Sequence, residues 1–145
     1  MVVHPDVNFI TTRRTHPTQK SHIDQVVLDT EQWEQAGAFY LEASPAVAFY
    51  ARNDHMDMAI LYDFLGISHH FHPDFLVRLA DGTTVVLEIK GRITAQEQAK
   101  FEAAKRWVDA VNHWGKLGRW EFMLCDDPQK LPDQLSDSLN ERMVA

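Results

Sequence analysis

One cysteine, Cys125, stands in a chain of 145 residues, which excludes an intramolecular disulfide and a cysteine-built zinc site. No apolar run approaches the ~20 residues of a membrane span, and the first residues, with Asp6 and Asn8, lack the layout of a signal peptide. Low-complexity tracts and internal repeats are missing too. Positive charge is scarce: 14 Lys and Arg against 21 Asp and Glu give a net charge of −7. That balance argues against a protein that coats nucleic acid nonspecifically. It leaves room for an enzyme that touches DNA locally, because a carboxylate site that works with cations is itself acidic; binding by this domain alone would be weak and salt-sensitive. A soluble, cytoplasmic protein without membrane contact is the expectation.

What is there is enough for one domain over residues 1–145: an apolar share of 45% and a charged share of 24%. The reading divides it into an N-terminal extension at 1–28, a core at 29–127 and a C-terminal helix at 128–145. The most informative stretch is His72 to Lys90. Two runs rich in β-branched and large apolar residues, Phe75–Leu79 and Thr83–Ile89, flank Ala80-Asp81-Gly82. A two-residue Asp81-Gly82 loop would set the acidic side chains on opposite faces. A three-residue loop with Gly82 in the left-handed conformation pairs Leu79 with Thr83 and Asp74 with Glu88, and is the preferred register. Phe75, Val77, Leu79, Val85, Leu87 and Ile89 then share one apolar face, and Asp74, Glu88 and Lys90 share the other. Cross-strand Cβ atoms lie ~4.5–5.5 Å apart, so the two carboxylates repel unless something positive sits between them. A divalent cation would do that.

The rest of the chain supplies supporting elements. Val7–Thr12 and Ile23–Leu28 read as strands joined by a basic connector, 13–20. A helix is expected over about 30–43, opened by an Asp29/Gln32 capping box, with Trp33, Gly37, Tyr40 and Leu41 at helical spacing and Ser44-Pro45 at its end. Val47–Arg52 reads as a strand, Asn53-Asp54-His55 as a turn, and Met58–Asp63 as a strand returning beside the first. Thr94 caps a long helix to about Asn112 with Phe101, Ala104, Trp107, Val108 and Val111 on one face. Arg119–Cys125 is a further strand, and Leu131, Leu135 and Leu139 mark a last helix with Pro132 in its first turn. Trp33, Trp107 and Trp120 are assigned to the core. Helix, antiparallel strands, crossover helix, strand and helix make an α/β sandwich with a central mixed sheet.

Asp74, Glu88 and Lys90 fit metal-assisted phosphodiester hydrolysis: hard oxygen ligands suit Mg²⁺, with Mn²⁺ able to substitute, and a lysine beside them can orient water or stabilise transition-state charge. A surface hairpin with an inconsequential ion pair is the plain alternative. The run His69-His70-Phe71-His72 raises zinc, since strand alternation puts His70, His72 and Asp74 on one face. Lys90 opposite His72 opposes a second cation there, and the histidines otherwise line a cleft or face solvent. Lys100, on the sheet-facing edge of the long helix, is a candidate DNA-phosphate contact. Lys105 and Arg106 are weaker candidates on a face where Glu102 and Asp109 offer partners.

His72-Pro73-Asp74, thirteen intervening residues and Glu88-Ile89-Lys90 resemble the PD-(D/E)XK nuclease motif, and the order of elements, an α-β-β-β-α-β core, resembles that of the superfamily. Ser21-His22-Ile23, Trp33-Glu34, Val47 with Asn53, Tyr62, Pro73-Asp74-Phe75, Leu87 to Gly91 and Arg106 to Asn112 are similar to the C-terminal endonuclease region of type III restriction enzyme Res subunits, over about residues 7–128. The resemblance implies a restriction-endonuclease-like sandwich and a Mg²⁺-dependent endodeoxyribonuclease. In it Asp74, Glu88 and the Ile89 backbone carbonyl hold the metal, Glu34 is a candidate further ligand, and Lys90 is the catalytic lysine. It further implies DNA as substrate and, within a restriction system, a helicase motor or methyltransferase subunit as partner; cutting both strands with one site needs two copies, as in a homodimer, or two encounters. The chain has no G-x-x-x-x-G-K-[ST] phosphate loop, so the expectation is an excised domain or a stand-alone nuclease. A catalytically idle fold serving as a DNA-binding or docking module is the alternative.

Overall fold

The computed structural model describes residues 15–17, 25–27 and 32–144. Two short strands, β1 (Thr15–Pro17) and β2 (Gln25–Val27), pair antiparallel. β1 therefore lies within the stretch read as a connector, while β2 falls in the strand expected there. The strand expected at 7–12, residues 21–23 and the Asp29 cap lie outside the described residues.

The remaining elements are α1 (Gln32–Ala43), β3 (Val47–Arg52), β4 (Ile60–Phe64), β5 (Ile67–Phe71), β6 (Phe75–Leu79), β7 (Thr84–Ile89), α2 (Ala95–Trp114), β8 (Trp120–Cys125) and α3 (Leu131–Val144). The main sheet has the order β3-β6-β7-β8. Its pairs are antiparallel except β7 with β8, which run parallel because α2 crosses between them. α2 starts at Thr94, whose hydroxyl accepts from the Glu97 N–H at 3.2 Å, and ends at Gly115 with φ +74°. Asn112 near that end accepts from the Trp120 N–H and donates to the Trp120 carbonyl, both at 2.8 Å, and so fixes where β8 enters the sheet.

The β6–β7 register is the expected one. Phe75 pairs with Leu87 and Arg78 with Thr84. At the turn the Leu79 N–H donates to the Thr83 carbonyl at 2.8 Å, and Gly82 takes φ +90°. Phe75, Val77, Leu79, Val85, Leu87 and Ile89 do share one core, covered by α1 and α3 through Ala38, Leu41, Leu131 and Leu135. The other face is not simply the charged one. Leu76 and Val86 belong to a second core with Phe101, Ala104 and Val108 of α2, so every residue of β7 is buried. On that face charged groups are left to the two ends of the hairpin, Arg78 by the turn and Asp74 with Glu88 at the other.

A second correction concerns 58–71. β4 does not return beside β3; it pairs with β5, a strand not expected from the sequence, to make a separate ribbon. Ile60, Tyr62 and Phe71 of that ribbon complete the second core beside α2. The ribbon turns at Leu65-Gly66, both with positive φ, the backbone of a two-residue hairpin loop. Among the described residues no helix is long and apolar enough to cross a membrane.

Candidate active site

β3, β7 and β8 all end at the edge of the sheet where β6 begins. Asp74, one residue before β6, and Glu88, one before the end of β7, meet there. The Ile89 N–H donates to Asp74 Oδ2 at 2.9 Å, and the Asp74 N–H donates to Glu88 Oε1 at 3.1 Å. Each carboxylate thus accepts a backbone hydrogen bond from the other's strand. The opposition inferred from the register is real, and these bonds bring the two carboxylates to one spot. Asp74 is half-buried and Glu88 only 7% exposed. Burial first, then the charge of Asp74, push the Glu88 carboxyl from 4.5 up to about 9, with the positive charge of Lys100 opposing the rise. At neutral pH the metal-free pair therefore keeps a proton.

The other predicted residues are placed as follows. Lys90 is exposed, directly after β7, with its N–H donating to the Cys125 carbonyl at 2.9 Å. Lys100 is held toward the sheet, its Nζ donating to Glu97 at 3.1 Å and lying 5.8 Å from the Phe71 ring centre. Lys105 and Arg106 are exposed on the solvent side of α2; Lys105 faces Glu102 at 3.7 Å. Five residues past Lys100, Lys105 is roughly 7.5 Å further along the helix, away from the carboxylates. Glu34 forms an ion pair with Arg52, which also bonds Asp54 at 3.0 Å. Tyr50 and Ala51 point to the first and second cores respectively, so Arg52 follows Tyr50 to the α1 side.

The histidines split between surfaces. His69 stacks on Tyr62 at 5.3 Å between ring centres, while His70 and His72 are exposed and stack on each other at 6.5 Å. Among the described residues no three His, Cys, Asp or Glu side chains come together as a metal-holding group. A cation at Asp74 and Glu88 would therefore need its further ligands from the Ile89 carbonyl, water and substrate, which suits Mg²⁺ better than zinc.

Three residues near this edge were misread or passed over. Arg52 is buried with two carboxylate partners. A basic residue closing an apolar strand was the available signal. Asn53, directly after β3, ties the site to the segment that leads into β4, its N–H donating to the Asp74 carbonyl at 3.0 Å and its Nδ2 to the Met58 carbonyl at 2.9 Å. Trp33 is no core residue: it keeps 42% exposure and lays its six-membered ring against Gly91, the residue after Lys90. Trp107 and Trp120 do pack, edge to face at 5.3 Å.

Compared with known proteins, the chain matches no family model, no curated protein and no solved structure.

Proposed function

We propose that this chain is a Mg²⁺-dependent endodeoxyribonuclease of the PD-(D/E)XK type, with a restriction-endonuclease-like sandwich and of the kind found in type III restriction and related defence systems. The observation that carries the reading is the meeting of Asp74 and Glu88 at the open end of the β6–β7 hairpin, with Lys90 exposed two residues on. The raised Glu88 carboxyl supports it, since two acids crowded at a half-dry edge are an electrostatic liability that a cation would relieve.

Asp74, Glu88 and the Ile89 carbonyl would hold the ion, Mn²⁺ serving in its place. When bound, it would polarise a phosphoryl oxygen and lower the pKa of a water. Lys90 orients the attacking water and stabilises the charge that builds on the phosphate. Lys100 steadies the carboxylate charge from the α2 side and offers a contact to a neighbouring phosphate. In this reading Glu34 braces α1 against β3 through Arg52. DNA is the substrate, a helicase motor or methyltransferase subunit the partner, a homodimer the means of cutting both strands, and the cytoplasm the place of action.

A second reading has its own observation: each carboxylate accepts a backbone N–H from the other's strand, an arrangement an idle DNA-binding or docking module would also use. Plasmid nicking separates the two. Wild type should cut in Mg²⁺ or Mn²⁺ and not in Ca²⁺ or EDTA, and Lys90→Ala should abolish cutting while calorimetric Mg²⁺ binding survives. Cutting that persists in EDTA, or a wild type that neither cuts nor binds Mg²⁺, defeats the nuclease reading.

A further inference from the structure

Among the described residues neither hydrophobic core includes Trp33. It sits in the first turn of α1, yet 42% of it is exposed. The rest of α1 is fixed hard against the sheet. A Cβ at Gly37 would lie 2.4 Å from Ile89 Cδ1, so the helix approaches the end of β7 as closely as a glycine allows. One residue beyond Trp33, Glu34 is pinned to Arg52. The indole itself is pinned at its far edge, where a Cβ on Gly91 would lie 2.5 Å from Cη2 and 3.0 Å from Cζ3. The chain thus spends two close glycine contacts and an ion pair on holding a half-exposed aromatic plane beside Lys90. The carboxylate pair reaches the end of β7 from the α2 side and Trp33 from the α1 side. Lys90 and Gly91 lie between them.

We infer that Trp33 is a stacking platform for an unpaired nucleobase next to the phosphate engaged by Asp74, Glu88 and Lys90. The inference rests on the nuclease reading and narrows it: the preferred substrate has single-stranded character at the site, because only an unpaired base can offer its face to the indole. Base–aromatic stacking tolerates any sequence and is independent of phosphate contacts. Trp33 is a substrate-positioning residue, and the phosphates are left to Lys90 and Lys100.

The test is fluorescence anisotropy in Ca²⁺ with two labelled probes of one length, oligo-dT and an abasic oligomer with the same phosphates and no bases. Trp33→Leu should weaken oligo-dT binding roughly tenfold and leave the abasic probe unchanged. Trp33→Phe should retain most of the oligo-dT affinity. Gly91→Ala, which displaces the ring without removing it, should give the same selective loss as Trp33→Leu. Equal loss on both probes, or none on either, overturns the platform. Wild-type plasmid cutting in Mg²⁺ is scored in parallel: a wild type that cuts DNA while Trp33→Leu binds oligo-dT normally sinks this inference alone. Selective loss in a protein that never cuts leaves the platform standing and removes the nuclease.

Discussion

Glu88 is buried against its own electrostatic interest, 7% exposed beside Asp74 with its carboxyl pushed up to about 9. Between pH 4.5 and about 9 the folded protein holds a proton that the unfolded chain has released. The stability this group contributes is then fully present below 4.5 and is lost as pH rises through about 9. Urea unfolding in EDTA should therefore show wild type weakening from pH 5 to pH 9, and Glu88→Gln, which stays neutral, should flatten that slope and be the more stable protein at pH 9. Identical slopes would mean that Glu88 titrates normally. Under the proposed metal site Mg²⁺ would act on the same proton in reverse, since a ligating carboxylate must be ionised, so any stabilisation Mg²⁺ gives wild type should grow over this range. The opposition of Asp74 and Glu88 was legible in the sequence because turn chemistry and the period of two agreed on one register. The crossed N–H bonds were not. They depend on how side chains fold back at a strand end, which alternation does not encode.

At the scale of elements, the β4–β5 ribbon shows where pattern reading stops. Residues 58–63 look like a strand from their own composition, but the choice of partner is made by α2, whose Phe101 packs on Phe71 with ring centres 6.2 Å apart. Nothing local records that contact. The ribbon also carries a local conflict. Leu65 occupies a turn position with φ +51° and is 84% exposed, so it suffers the left-handed backbone without any burial in return. A left-handed L-residue is disfavoured by roughly 1–2 kcal/mol, and glycine relieves this while adding some unfolded-state entropy. Leu65→Gly should stabilise the protein by about 0.5–1 kcal/mol in urea melts. A destabilised variant would show that the Leu65 side chain makes contacts its exposure conceals. The helices were the more legible elements: Thr94, the apolar face of α2 and Gly115 state start, orientation and stop. Arg52 closing an apolar strand hinted that a buried partner exists, but not that it is Glu34, eighteen residues away on another element.

Across the whole molecule, the end of the sheet opposite the carboxylates is tied by the last helix. Arg142 of α3 donates through Nε to Asp81 Oδ2 at 2.6 Å and through Nη1 to Glu121 at 2.8 Å and Ser138 at 2.7 Å. One guanidinium therefore joins the β6–β7 turn, the start of β8 and α3. Burial works against the charge of Asp81, but the Arg142 hydrogen bond and the Thr83 N–H outweigh it and draw the carboxyl from 3.8 down to about 2. The sign is opposite to that of Glu88. This contribution is present above pH 3.8 and is lost as pH falls toward about 2. Asp81 and Arg142 keep side-chain exposures of 29% and 15%, so solvent screening reduces what the shift implies. Arg142→Gln should cost about 1 kcal/mol at pH 7, with the deficit shrinking in 1 M salt and narrowing between pH 4 and pH 2 as Asp81 is protonated in wild type as well. The β6–β7 hairpin is five to six residues long, which separates this clamp from Asp74 and Glu88 by roughly 17–20 Å. Under the proposed nuclease reading, cutting by Arg142→Gln at a temperature where it remains folded should then equal wild type. If cutting fell while the fold held, the two ends of the sheet would be coupled through the hairpin, and α3 would have a part in the site as well as in the fold.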